Sequence, residues 1–271
     1  MSRGSRLALL ALAVALMLAP VATVHPAVTH LYAAGLSNLS IEFSHPRVFG
    51  FLTLALVSAL PAAGFLFSLI RTARGVGDLR QLTRTSTPAR LDGLYYRVLP
   101  SDAIVIFTAG GLRPTVFVSQ GAERELGYAE LRAALLHERA HQLNRDVLWR
   151  LLLRATGRAF PFLPWVANAV ETETLRTECE ADDYAIRNGA RRRELFEAIA
   201  AAALPPAHSA AAGVTGANVE LRLTRLVHPE TPLPQAPTRS FLALAAGLVL
   251  PAVVAHLVAV GAAVGTSHLL M

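Results

Sequence analysis

The sequence contains no lysine, so all 25 of its basic residues are arginine and the net charge of +6 rests on arginine. A basic protein suggests nucleic-acid binding. These arginines, however, flank apolar runs or are spread among acidic residues, and they form no basic stripe interleaved with aromatic residues. The single cysteine, Cys179, excludes an intrachain disulfide, so nothing in the sequence implies an oxidising compartment. We therefore predict no nucleic-acid partner.

Arginine and acidic residues are also absent from three long apolar runs, within a sequence that is 53% hydrophobic. The runs are Leu7–Val24, Val48–Ile70 and Phe241–Gly265, and each is long enough, or nearly so, for a helix to cross a hydrocarbon core of about 30 Å. We expect three transmembrane helices at about 7–24, 48–70 and 241–265, in a multi-pass protein of the cell membrane with the lipid bilayer as a partner. The first run could instead be a cleaved secretory signal, because it follows basic residues and contains small residues near its end.

The arginines next to these runs determine the predicted orientation. Two arginines precede the first run, and the loop between the first two runs has a single arginine at its very end. Four more follow the second run, at Arg71, Arg74, Arg80 and Arg84. By the positive-inside rule, the N-terminus and the segment after the second run are cytoplasmic. We expect two transmembrane helices in residues 1–72, a folded domain in 73–239 and the third transmembrane helix in 240–271.

The first half of the middle domain is predicted to form a small sheet and then a long helix. A polar, turn-rich stretch, Thr83–Leu94, is expected to be a linker. Short β-prone runs follow at Tyr95–Leu99 and Ala103–Phe107, and Thr115–Ser119 alternates as a half-buried strand does. A long helix is expected to begin near Tyr128.

The second half is predicted to be helical. Val147–Val170 is an apolar segment predicted to be helical until Pro161 and Pro164 end it, and its arginines at positions 150, 154 and 158 form one cationic stripe. Such a helix either lies in the membrane interface or packs on the core of its own domain. Further helices are expected at Glu171–Asn188 and Arg191–Ala203, and a short amphipathic segment at Val219–Val227.

The first long helix contains the sequence His137-Glu138-Arg139-Ala140-His141. Residues four apart lie on one helix face, so both imidazoles can bind one metal ion while Glu138 lies beside them. This HExxH pattern is typical of zinc peptidases, in which the glutamate is the general base for a metal-bound water. Because five residues can match by chance, the surrounding sequence must supply a third ligand.

The strongest candidate for the third ligand lies in Glu178-Cys179-Glu180-Ala181-Asp182. Glu178 and Asp182 are four apart, so both can face the metal from one side of a helix. Glu178 can bind zinc while Asp182 accepts the outer N–H of a ligand imidazole. The alternatives are that Glu180 is the ligand, or that the whole stretch is an acidic, solvated helix face.

The stretch Ala103–Ala203 resembles the BlaR/MecR-like family of membrane metallopeptidases in the order and approximate spacing of several motifs. The matching motifs are Arg113–Ser119, His137–His141, Arg145-Asp146, Phe160–Pro164 and Glu178-x-x-Ala181-Asp182-Asp183. The family are gluzincins, so the resemblance implies that His137, His141 and Glu178 are the zinc ligands and that Glu138 is the base. The HtpX/Ste24-type peptidases have a similar helix pair, but Arg145-Asp146 and the short tail favour the first group. No antibiotic sensing is inferred, since nothing after the third run could be a sensor domain.

We therefore predict a mainly α membrane protein, with three transmembrane helices and an α+β, gluzincin-like zinc metallopeptidase domain that contains a small sheet. It would bind one Zn²⁺ per chain and cleave a protein or peptide substrate, which strand Thr115–Ser119 could align by edge pairing. His208, His228 and Tyr184 are candidates for stabilising the oxyanion, and none is preferred. The alternative is a membrane signalling or scaffold protein whose zinc site is structural or degenerate. The sequence makes no prediction of oligomeric state.

Overall fold

The structure, a computed structural model, describes residues 3–34, 59–71, 76–203 and 216–250. These residues are mostly helical and include one small mixed sheet, so the coarser part of the fold prediction is confirmed. The helices are α1 (Arg3–Ala34), α2 (Ala59–Arg71), α3 (Val76–Thr85), α4 (Gln120–Glu125), α5 (Tyr128–Asn144), α6 (Asp146–Ala159), α7 (Pro164–Arg187), α8 (Arg192–Ala203), α9 (Gly216–Val227) and α10 (Thr238–Leu250). The strands are β1 (Thr87–Leu91), β2 (Leu94–Leu99), β3 (Ile106–Ala109) and β4 (Thr115–Ser119).

One described helix is long and apolar enough to cross a membrane. It is α1, over the 20 residues Arg3–Ala22. Helices α2 and α10 are apolar but shorter, and the predicted spans 48–70 and 241–265 extend outside the described residues. Length and composition alone do not distinguish a span at α1 from a signal sequence, which the same segment also resembles.

The described residues divide into two compact units. The first contains residues 71–151 and 171–236, and so includes the sheet, α5, α8 and α9. The second contains the described parts of 2–70, 152–170 and 237–271. Within the second unit, Ser5 and Thr238 share a hydrogen bond of 3.2 Å, and Arg158 donates to Ser68 over 3.2 Å. The predicted site residues all belong to the first unit.

The sheet has the order β1-β2-β4-β3. Strands β1 and β2 form an antiparallel hairpin, β2 pairs with β4 in parallel, and β3 pairs with β4 in antiparallel fashion. Strand β4 is therefore flanked on both sides. The prediction that Thr115–Ser119 aligns a substrate by edge pairing is wrong, because both of its edges are already hydrogen-bonded to neighbouring strands. The free edge on this side belongs to β3.

Two further predictions about this region need correction. Residues Thr83–Leu94 are not a linker, because they contain the end of α3 and the whole of β1. The hairpin turns at Asp92-Gly93, where both residues have positive φ, as a two-residue turn of this kind requires. The second predicted strand begins at Ile106 rather than Ala103.

Helix α5 lies at the centre of the first unit, because it is buried on two sides. Toward the sheet, Leu131 and Leu135 pack in a cluster with Val98, Val116 and Val118. On the other side, Ala133 and Leu136 pack against residues of α7, α8 and α9, namely Ala185, Leu195 and Leu226. The helix carrying the HExxH pattern is thereby held between a sheet and a layer of helices.

The helix predicted from Val147 ends at Ala159, just before Pro161, as the two prolines indicate. The next helix, α7, begins at Pro164, seven residues before the predicted start at Glu171. Proline suits the first turn of a helix because its missing N–H has no intrahelical acceptor there. The arginine stripe also does not act as one surface, since Arg150 is partly buried against Glu178 whereas Arg154 is exposed.

Candidate metal centre

The two histidines of the HExxH pattern face each other on α5. His137 and His141 are buried, and their Nε2 atoms lie 3.1 Å apart. Their rings meet edge to face, with centroids 4.7 Å apart. The one-face geometry expected from residues four apart is therefore present.

Helix α7 brings both predicted acidic residues to this pair. A carboxylate oxygen of Glu178 lies 3.3 Å from His137 Nε2, and the other lies 3.7 Å from His141 Nε2. Asp182 Oδ1 lies 2.8 Å from His137 Nδ1. Because Glu178 and Asp182 are one turn apart, a single helix face contacts both ring nitrogens of His137.

Asp146 contacts the Nδ1 atom of His141, as Asp182 contacts the Nδ1 atom of His137. It is 1% exposed, and its Oδ2 lies 2.9 Å from His141 Nδ1. The approach depends on Arg145, which ends α5 in the left-handed conformation at φ 54° and so turns α6 back toward His141. Sequence reasoning noted the Arg145-Asp146 pair only as part of the resemblance and assigned Asp146 no role. A carboxylate five residues after the second histidine was the available signal.

These two carboxylates influence where the imidazole protons lie. Asp182 and Asp146 can each accept a hydrogen bond from an Nδ1–H, which in a metal-loaded site would leave both Nε2 lone pairs to the ion. The two Nε2 lone pairs and the Glu178 carboxylate then converge on one small volume. Such a set of electron-pair donors suits a cation; when no ion is bound, the raised pKa of His137 keeps a proton on its Nε2 beside Glu178.

Glu138 lies on the same helix and faces the sheet. Thr108 of β3 donates to Glu138 Oε2 over 2.6 Å, and its hydroxyl lies 3.2 Å from the Glu138 backbone carbonyl. Edge strand β3 therefore fixes one carboxylate oxygen of Glu138. His137, Glu138 and His141 together form a group that could hold a metal ion, with one donor atom from each lying within 4.8 Å of the others.

Two arginines complete the cluster. The sequence alone gave neither of them a role in the site. Arg222 of α9 donates twice to Asp182, through Nε and Nη2 at 2.8 Å each, and its Nη1 lies 3.2 Å from Glu178. Arg150 of α6 donates to the other Glu178 oxygen. The Glu178 carboxylate thus lies between two guanidinium groups and two imidazoles.

The surrounding charges shift the pKa values of the cluster. Burial and Arg222 lower the pKa of His137, but Asp182 and Glu178 outweigh both and raise it to about 9. Burial raises the pKa of Glu178, yet Arg150 and the two histidines hold it well below its usual range. Arg222 and His137 likewise overcome the effect of burial and lower the pKa of Asp182. Both carboxylates are therefore ionised at neutral pH.

The cluster lines a cleft of about 380 Å³. The apolar part of the lining comes mainly from α8, through Leu195, Ala198, Ile199 and Ala202. Strand β3 contributes Ile106, Phe107 and Thr108. A volume of this size is within the range of ligand-binding clefts.

Other sequence candidates lie elsewhere. Glu180 pairs with Arg176 on its own helix at 2.9 Å, and Cys179 is buried. His228 is exposed and pairs with Glu230, whereas Tyr184 does not line the cleft. His208 lies outside the described residues.

The chain matches no protein-family model, no curated protein and no solved structure.

Proposed function

We propose that the protein is a membrane-anchored, zinc-dependent endopeptidase that hydrolyses peptide bonds in a protein or peptide substrate. The observation that carries this proposal is the convergence of His137 Nε2, His141 Nε2 and the Glu178 carboxylate, beside a second carboxylate, Glu138, in the lining of one cleft. Two imidazoles, one metal-binding carboxylate and one carboxylate base are the groups that such an enzyme needs.

The donor distances fit zinc. Zn–N and Zn–O bonds of about 2.0–2.2 Å in a tetrahedral site place neighbouring ligand atoms about 3.3–3.6 Å apart. The distances between the donor atoms of His137, His141 and Glu178 are 3.1, 3.3 and 3.7 Å. The set of two nitrogens and one carboxylate also matches the donors that zinc prefers in catalytic sites.

Glu138 and Glu178 could each be the third donor, and the contacts favour Glu178. The Glu178 oxygens lie within 3.7 Å of the two Nε2 atoms, whereas one Glu138 oxygen is held by Thr108 on β3. Glu138 is therefore assigned as the base and Glu178 as the ligand. One zinc ion per chain would be held by His137, His141 and Glu178, with Asp182 and Asp146 orienting the imidazoles.

A bound zinc ion would lower the pKa of a coordinated water and polarise the carbonyl group of the scissile peptide. Glu138 would accept a proton from the water as the water oxygen bonds to the carbonyl carbon. It would then pass that proton to the amide nitrogen as the C–N bond breaks, which gives a carboxylic acid and an amine. Thr108 keeps the Glu138 carboxylate oriented throughout.

The extended substrate would pair with β3 rather than β4. Strand β3 is an edge strand, its residues line the cleft, and Thr108 ties it to the base. An unpaired strand edge offers its N–H and C=O groups to a peptide in extended conformation. The substrate backbone would thereby lie alongside the metal centre.

The test uses the full chain, purified in detergent and loaded with zinc. We expect Glu138→Gln to retain zinc with an affinity within about threefold of wild type while casein hydrolysis falls at least about 100-fold. Glu178→Gln should lose zinc, whereas Glu180→Gln, the control on the same helix, should change neither property. Hydrolysis by the Glu138→Gln protein at the wild-type rate would refute the mechanism.

A structural zinc site in a signalling or scaffold protein is the alternative. Structural zinc has four protein ligands, whereas this cluster offers three close donors and opens onto a cleft. Stoichiometric zinc in a wild-type protein that cleaves neither casein nor a peptide library would favour the alternative.

We further propose that the peptidase domain is cytoplasmic and that α1, α2 and α10 belong to membrane spans. The arginines that follow the second apolar run support this orientation. A reporter fused after Arg74 tests it: activity of a reporter that works only outside the cytoplasm would refute the proposed topology.

A further inference from the structure

Arg150 is a positively charged hydrogen-bond donor in the lining of the cleft, and the hydrolysis steps proposed above do not use it. It lies on α6, its side chain is 27% exposed, and it lines the cleft together with His141 and Glu178. Its neighbour one turn along the helix, Arg154, is exposed.

The guanidinium of Arg150 lies beside the proposed zinc position and does not block it. Its Nη2 atom is 3.1 Å from His141 Nε2 and 3.5 Å from His141 Nδ1. A group on the Nε2 lone pair would be much closer to Nε2 than to Nδ1, because Nδ1 lies on the far side of the ring. The nearly equal distances place Nη2 over the imidazole, so the Nε2 lone pair remains available to an ion.

The partners of Arg150 differ in kind from those of Arg222. Arg222 is 12% exposed and also lies 3.2 Å from Glu178, but two of its nitrogens are fixed by hydrogen bonds to Asp182, which is not a proposed zinc ligand. The contacts described for Arg150 are to Glu178 and His141, which are both proposed ligands. A metal ion would compete with Arg150 for the electron pairs of Glu178, so in the loaded protein the Arg150 donor that now contacts Glu178 would become available to the cleft.

The described residues that line the cleft include two cationic donors, Arg150 and Arg222. Arg222 is committed to Asp182. Neither Tyr184 nor the exposed His228, two candidates from the sequence, lines the cleft. Arg150 is therefore the donor best placed to reach a substrate carbonyl beside the metal.

Building on the proposed function, we propose that Arg150 donates a hydrogen bond to the carbonyl oxygen of the scissile peptide and stabilises the negative charge that develops there. As the water oxygen bonds to the carbonyl carbon, the π electron pair of the C=O bond moves onto the oxygen, and the guanidinium N–H faces that charge. In the metal-free chain the same guanidinium neutralises Glu178. One side chain thus serves both states of the site.

The experiment compares wild type with Arg150→Gln, Arg150→Lys and the control Arg154→Gln, all as full chains in detergent. Zinc affinity is measured by chelator competition, and kcat and KM are measured with a peptide substrate. A third measurement gives the affinity for a phosphinic peptide that mimics the tetrahedral intermediate. We expect Arg150→Gln to bind zinc at least as tightly as wild type, because a competing cation is removed. Its kcat should fall about 100- to 1,000-fold with KM within about threefold, and its phosphinic-peptide affinity should fall in parallel. Arg150→Lys should recover part of the loss, and Arg154→Gln should match wild type.

Two results would overturn the proposal. One is a kcat for Arg150→Gln within about threefold of the Arg154→Gln control. The other is a loss of activity that saturating zinc restores, because Arg150 would then only help Glu178 to hold the metal. If zinc-loaded wild type hydrolyses no peptide, the proposed function fails. Phosphinic-peptide binding then decides the role of Arg150, and equal binding by wild type and Arg150→Gln refutes it.

Discussion

Replacing Asp182 by asparagine is expected to weaken the protein in two separable ways. The side chain is 5% exposed and contacts His137 Nδ1 and two nitrogens of Arg222, all at 2.8 Å. Asparagine has nearly the same shape, so packing is preserved while the negative charge is lost. The variant therefore isolates the electrostatic contribution of Asp182.

The expected stability loss follows from the burial of Arg222. Removing one partner of a buried ion pair costs about 3–5 kcal/mol, since the other charge is left without compensation. The asparagine oxygen still accepts one hydrogen bond from Arg222, and Glu178 still lies 3.2 Å from the guanidinium, so we expect a loss at the lower end of that range, about 3 kcal/mol. For a domain of this size, that loss lowers the melting temperature by about 6–12 °C. Zinc affinity should fall about 10- to 100-fold, because His137 loses the carboxylate that fixes its proton on Nδ1.

The next residue provides the control. Asp183 pairs with Arg225 at 3.3 Å and is 28% exposed. Asp183→Asn should therefore cost no more than about 1 kcal/mol and leave zinc affinity unchanged. Thermal unfolding in chelator measures stability, and chelator competition measures affinity. Equal melting temperatures for the two variants without zinc would refute the reasoning, as would wild-type zinc affinity in Asp182→Asn.

Two further predictions concern the backbone. Arg145 has a left-handed conformation, which costs a residue with a Cβ about 1–2 kcal/mol and costs glycine little. Arg145→Gly should therefore raise the free energy of unfolding by about 1 kcal/mol. A melting temperature below that of wild type would contradict this prediction. Gly121→Ala should destabilise the protein by about 2–3 kcal/mol, since a Cβ there would lie 2.0 Å from the carbonyl oxygen of Asp102. The matched control is Gly111→Ala, because a Cβ at Gly111 meets nothing within 4 Å. Melting temperatures are measured for both variants, and an equal fall in melting temperature would refute the steric explanation.

The elements next to the motif could be predicted with their bounds. Strand β4 covers Thr115–Ser119 and α5 begins at Tyr128, both as expected, but β4 is buried from Val116 to Ser119 and is not the half-buried strand that the alternation predicted. Strand β1 could not be predicted from the sequence, because it is an exposed edge strand that contains Pro88 and has no buried residue. The Asp92-Gly93 pair was the available signal for the hairpin.

The site was predictable where local spacing determines it. The four-residue spacing of His137 and His141, and that of Glu178 and Asp182, is enough to place each pair on one helix face. Arg222 lies 85 residues from His137, and no periodicity connects them. Its position depends on how α9 packs against the other helices, which is a tertiary effect.

The left-handed break at Arg145 also has a consequence for changes of chain length. Because α6 starts directly after the break, a single stretch, 137–150, contains both histidines, the base, the second orienting carboxylate and Arg150. Each helical residue turns the chain by about 100°. One residue inserted or deleted between α5 and α6 would therefore rotate Asp146 away from His141, although every side chain of the site was still present. Substitutions at the break are compatible with an intact centre as long as the number of residues is unchanged.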